Sequence, residues 1–186
     1  MQSGLLLAMT EPLIDNPIQG MTMRLITTSI LLLPLLTGSA FADPIPDALA
    51  APGTVPVLTA HAKGQQIYEC KAGADGKLAW AFREPAAKLI ADGKIVGKHY
   101  AGPSWELNDS SAVVGKGVAN APGKTANDID WLKLEATTHR GSGTLGDVTT
   151  VQRINTVGGK LGGACRRTGD SRAVPYTADY VFLRKG

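Results

Sequence analysis

The side chains best able to do chemistry gather in one stretch, residues 96–109, where His99, Tyr100, Trp105, Glu106 and Asp109 stand close together. A histidine and a carboxylate on neighbouring strands could make an acid–base pair, one moving the proton and the other orienting the ring. The plainer assignment puts Trp105 in a core, Glu106 on a solvated face and Asp109 at the start of a turn. A second polar stretch, Val151-Gln-Arg-Ile-Asn-Thr156, alternates so that Arg153 and Asn155 share one face while Gln152 and Ile154 share the other. An arginine and an asparagine side by side could hold an anionic or hydroxylated ligand. They could equally be paired with Glu106 or Asp179 inside the domain. The candidate ligand site is therefore His99, Trp105, Glu106, Arg153, Asn155 and Asp179. At least three of these are expected to converge on one concavity, with Arg153 as the contact for an anion or hydroxyl.

Other motifs carry less. Gly141-Ser-Gly-Thr-Leu-Gly146 matches the dinucleotide pattern G-x-G-x-x-G, but a helix must follow it and Asp147-Val-Thr-Thr-Val-Gln is strand-like. It reads as a glycine loop between strands. Gly158-Gly-Lys-Leu-Gly-Gly163 lacks the Gly-Lys-Ser/Thr ending of a phosphate loop and reads as a flexible loop or a lid. No G-x-S-x-G elbow and no metalloprotease helix occurs. The three histidines are scattered and the two cysteines do not form Cys-x-x-Cys, so neither a metal nor a cofactor is expected.

The N-terminal part reads as an address rather than as structure. Arg24 precedes an apolar run over 25–36, and Ala40-Phe-Ala42 is a small-x-small cleavage site before Asp43. Residues 21–42 are thus expected to be a signal peptide, which places the protein in a secreted or periplasmic setting. The run is shorter than the roughly 20 apolar residues of a bilayer span, so the mature chain should have no integral membrane segment. Residues 1–20, with Glu11 and Asp15 and no basic residue, read as a start called too early. In an oxidising compartment Cys70 and Cys165 read as a disulfide.

The elements that must position the candidate site are strands. Prolines 44, 46, 52 and 56 mark residues 43–63 as an extended arm. From Gly64 to Gly186, short period-2 runs are broken by glycine: Leu78, Trp80 and Phe82; Trp105 and Leu107; Tyr176, Ala178, Tyr180 and Phe182. Between Trp131 and Leu132 the phase slips by one residue, as a β-bulge would cause. Asp75-Gly76 and Asp92-Gly93 suit tight hairpins. Only residues 85–91 offer a helix, and they alternate equally well as a strand. The expectation is one all-β domain over 64–186, an antiparallel β-sandwich or small β-barrel of about seven to nine strands. Its predicted core is Leu78, Trp80, Phe82, Leu107, Trp131, Leu134 and Phe182. With 19 basic and 16 acidic residues, net charge +3, and no basic cluster of any size, the chain has no nucleic-acid footprint.

Six segments in order, Gly64-Gln-Gln-Ile-Tyr-Glu-Cys70, Trp80-Ala-Phe82, the run from Gly97 to Leu107, Ile129-Asp-Trp-Leu132, the run from Val151 to Gly159, and the run from Pro175 to Phe182, resemble a secreted bacterial and fungal family. That family is catalogued as domain of unknown function 3455. The resemblance spans roughly 44–184; departures occur at Asp109-Ser110-Ser111 and at Lys133. It implies the fold and secretion and supplies no activity. Three classes of function follow from the residues: a binding module for a small molecule or an envelope component, a hydrolase-type enzyme using His99 with a carboxylate, or an envelope structural or stress protein. The binding module is the expectation, with the enzyme less favoured.

Overall fold

The computed structural model describes residues 44–186; the expected signal peptide, its cleavage site and the early start lie outside the described residues. After a single 3-10 turn, η1 (Asp47–Leu49), eight strands follow in chain order: β1 (Thr54–Ala72), β2 (Leu78–Ala91), β3 (Lys94–Tyr100), β4 (Ser104–Leu107), β5 (Ala112–Ala121), β6 (Trp131–Arg140), β7 (Thr150–Gly158) and β8 (Ser171–Lys185). Each pairs antiparallel with the next, and β8 returns to β1, so the sheet closes into a barrel. No helix among the described residues is long and apolar enough to cross a membrane.

The turns form where the sequence permits a left-handed backbone. Asp92 and Gly93 both take positive φ, 50° and 73°, and join β2 to β3, as a two-residue hairpin of this twist demands. Residues 85–91 are strand, with Ala87 to Ala91 laddered to β3. The expected arm is shorter than its prolines suggested. Residues 54–63 are the first half of β1, and Pro56 is accommodated because the β1–β8 ladder shifts register between Pro56 and Leu58.

The interior is built of alternating strand residues, Ala60, Ala62 and Leu89; Trp105, Leu107, Val113 and Leu134; Val151, Ala178, Tyr180 and Phe182, with Val96 of β3 packed against them. Leu107, Leu134 and Phe182 of the predicted core belong here. Trp131 is also buried, but alternation from Leu132 and Leu134 places it on the outer face with Lys133. There η1 covers the sheet: Lys133 Nζ donates to Ala50 O at 3.1 Å, and Gln152 Nε2 to Leu49 O at 2.7 Å. The phase slip before Leu132 is therefore not a bulge within β6; the strand begins at Trp131, and Ile129 enters the core from the preceding loop.

Leu78, Trp80 and Phe82 require a correction. Their phase is right, since Tyr68 pairs with Phe82 and Cys70 with Trp80. But β3 pairs only from Ala87 onward, so this end of β2 runs past the barrel. Phe82 is 53 % exposed, and Trp80 packs under the Arg172 guanidinium, 5.6 Å from its ring centre. The overhang is secured by the Cys70–Cys165 disulfide, whose Cα atoms are 5.8 Å apart, and by backbone bonds from Trp80 N to Gly163 O and from Cys165 N to Leu78 O. The glycine run 158–163 is the segment carried to this place.

Candidate functional site

An eight-stranded barrel leaves an interior that side chains fill or that holds one small ligand. Here one end is not filled. A cavity of about 300 Å³ opens between Gln66 of β1, Phe82 and Pro85 of β2, His99 of β3, Trp105 of β4, Leu132 and Leu134 of β6, Arg153 of β7 and Tyr180 of β8. Register places them together. Gln66 stands opposite Pro85, His99 opposite Trp105, and Arg153 opposite both Leu132 and Tyr180, and directly opposed residues project to one side of a sheet.

His99 is buried and stacked on Trp105, ring centres 4.7 Å apart and planes within 6°. Its Nδ1 lies 2.8 Å from Ser104 O. A carbonyl only accepts, so Nδ1 carries the hydrogen and Nε2 is a bare acceptor. Burial lowers the His99 pKa to about 3, with the Arg153 charge adding to the effect and the Ser104 bond opposing it. The ring is neutral at any ordinary pH. Tyr176 and Tyr180 are held protonated in the same way, their pKa values raised first by burial.

Arg153 supplies the charge. Its guanidinium is fixed by Nε and Nη2, which donate to Asp130 O at 3.0 and 2.7 Å. It pairs with no carboxylate among the described residues. Two further donors in the lining make no well-formed hydrogen bond: Gln66 Nε2, which acts on the Tyr176 hydroxyl only as a weak donor, and Trp105 Nε1. Buried polar atoms are nearly always satisfied, and two orphans in one cavity mark a place built for an acceptor. A shallower recess of about 370 Å³, bounded by Tyr68, Ile129, Asp130, Lys160 and Leu161, shares Gln66, Phe82, Leu132 and Arg153 with it. The guanidinium stands at the boundary between the two.

Of the six candidate residues, the barrel brings His99, Trp105 and Arg153 to this cavity and leaves three outside. Glu106 alternates with Trp105 and points outward, where it accepts from Arg140 Nη2 at 2.6 Å and Tyr100 Oη at 3.0 Å and pairs with Lys98. Its tyrosine and arginine hydrogen bonds lower its pKa. Asn155 does not share a face with Arg153. It takes φ +51°, and the β7–β8 ladder shifts between Ile154 and Val157, which turns its side chain to Asp179 at 2.9 Å. Asp179 alternates outward between buried Ala178 and Tyr180, and its other oxygen meets His61 Nδ1 at 2.8 Å.

Asp109 is a clamp rather than an acid. It accepts from Ser111 N and Oγ and from Thr144 N, bonds that hold its pKa well below the carboxylate range. The dinucleotide-like glycines are explained by that clamp: a side chain on Gly143 would strike the Asp109 carboxylate, and Gly141, at φ +72°, lies against Ser110 O.

Gln66 and Tyr180 are the lining residues that the polar-cluster reading passed over. Tyr180 stands in the alternating row Tyr176, Ala178, Tyr180 and Phe182. Gln66 carries a signal as well, the parity it shares with Tyr68 and Cys70; in the fold it is 2 % exposed.

A family model described as "Protein of unknown function (DUF3455)" matches residues 51–94 and 90–184. No curated protein and no solved structure matches the chain.

Proposed function

Since the chain belongs to the DUF3455 family, whose description carries no activity, function must be sought in the cavity, and we propose that the protein is an extracytoplasmic small-ligand binding module. The observation that carries this reading is the pair of buried donors, Gln66 Nε2 and Trp105 Nε1, left without a well-formed hydrogen bond in the lining of one cavity. Each such orphan costs about 1–3 kcal/mol in an empty site, a cost that a bound acceptor removes. The volume, near the lower end of ligand pockets, suits a small molecule. The Cys70–Cys165 disulfide is compatible with a secreted or periplasmic location.

The hydrolase alternative lacks its central pair. Glu106, Asp109 and Asp179 are each engaged elsewhere, and the hydrogen bond that His99 makes goes to a backbone carbonyl. A purely structural role does not call for an unfilled cavity with a fixed guanidinium in its wall.

A thermal-shift screen of small aromatic and hydroxylated compounds, run on the native protein and on Leu132→Trp, tests the proposal. Leu132 borders the cavity, and an indole there fills it. Compounds that raise the native Tm should leave the filled variant unmoved. Equal shifts in both proteins would place binding elsewhere on the surface.

A further inference from the structure

We propose that the cavity selects a small monocarboxylate with an apolar body, its carboxylate on Arg153 and its body between Pro85, Leu132 and Leu134. This rests on the binding-module reading and goes further by assigning the ligand's charge and class.

Charge is the first argument. A guanidinium has five N–H donors, and the bonds to Asp130 O use one on Nε and one on Nη2. The Tyr180 hydroxyl, opposite Arg153 in the ladder, also feels the guanidinium as a donor, and the N–H groups left over sit on a fork held still by the Asp130 carbonyl. A cation in a partly desolvated site without a counter-ion is unfavourable, and a planar fork matches a carboxylate in two parallel bonds. Arg153 is also felt by its surroundings: its charge adds to the burial that lowers the His99 pKa and opposes the burial that raises those of Tyr68, Tyr176 and Tyr180. The space beside it therefore has a positive potential.

The class follows from the rest of the wall. Arg153 is the one cation shared by the cavity and the adjoining recess; Arg83 lies at the exposed rim and is paired with Glu84 at 2.8 Å. Lys160 borders the recess alone and is paired with Asp130 at 3.4 Å. One available positive charge balances a monoanion rather than a phosphate dianion. Gln66 Nε2 and Trp105 Nε1 are neutral donors, suited to the remaining lone pairs of the same carboxylate or to a second oxygen. Proline and leucine make the floor, which favours an apolar body over a sugar. The volume equals about ten waters at liquid density, room for about one ring and its substituents.

Isothermal titration calorimetry of the disulfide-intact protein with benzoate, benzamide and phenyl phosphate at neutral pH tests this. Benzoate should bind at least tenfold tighter than benzamide, which differs from it chiefly in charge, and tighter than phenyl phosphate. Arg153→Gln should bring benzoate down to the benzamide level while leaving benzamide unchanged. Arg153→Lys, which keeps the charge and loses the fork, should retain part of the preference, and it decides the matter if the glutamine variant does not fold. Equal binding of benzoate and benzamide would overturn the carboxylate assignment and leave the binding module standing. Tighter binding of phenyl phosphate would replace carboxylate by phosphate and overturn the assignment too, as would benzoate binding untouched in both arginine variants. If none of the three binds, both the assignment and the module reading fail.

Discussion

Burial removes His99 from the chemistry that histidines usually do near neutral pH. Its folded pKa is about 3 against 6.5 when exposed. Below pH 6.5 the unfolded chain takes up a proton that the folded chain refuses, so stability is full above 6.5 and is lost as pH falls towards 3. The slope is about 1.4 kcal/mol per pH unit. Carboxylates held low in the fold, such as Asp109 and Glu106, contribute to acid unfolding only nearer their own range, so the window from about 6.5 to 4.5 isolates the histidine. Urea melts across that window should lose about 2 kcal/mol, and His99→Gln should flatten the slope. A native protein equally stable at both ends would show that the ring titrates in the fold. At this scale the sequence revealed residue types better than orientations. Arg153 and Trp105 were legible because strands alternate; Asn155 was not, because a single residue at φ +51° reverses the side from which it projects.

The strands themselves owe their geometry to a few small residues. Gly64 lies against Ala86 O and Ala87 of β2, and Gly97 against Glu106 O and Leu107, close approaches that let a strongly coiled sheet close. Gly64→Ala should cost about 1–3 kcal/mol by overpacking, read as a lowered urea midpoint with unchanged m. A variant as stable as the native protein would mean that the sheet can relax there. On the outer face, Trp131→Ala should cost about 3–5 kcal/mol through lost burial and the cavity left behind; a loss under 1 kcal/mol would show that the surroundings close over the space. Period-2 patterning made most strands readable, from the β8 row to the Asp92-Gly93 hairpin. It also misplaced Phe82, since alternation reports which side a residue faces and not whether neighbouring strands extend far enough to cover it. Pro56, with the three prolines before it, hid half of β1 for a related reason. A proline at a register shift loses no ladder bond, and sequence does not announce the shift.

In the whole molecule, closure is what creates the site. Arg153 and Tyr180 meet Gln66, His99 and Trp105 only because β8 pairs with β1 across more than a hundred residues. Alternation is the same in a sandwich and in a barrel, so the sequence left that choice open and with it the cavity. The disulfide, by contrast, was legible from an even pair of cysteines without a Cys-x-x-Cys spacing. Joining residues 95 apart, it should stabilise by about 4–5 kcal/mol in the chain-entropy model. The Cys70→Ser/Cys165→Ser variant should lose that much in urea melts, and an unchanged midpoint would contradict the model. The most direct test of the cavity as the ligand site uses the three tryptophan indole N–H signals in a nitrogen–proton correlation spectrum. Trp105 Nε1 is an unpartnered donor in the cavity, Trp131 Nε1 an unpartnered donor on the outer face, and Trp80 belongs to the overhang. On titration with benzoate, or with benzamide as its neutral counterpart, the Trp105 indole signal should move with saturation while the other two stay. A Trp105 signal that holds still while Trp80 or Trp131 shifts, or three signals that never move, would contradict the account.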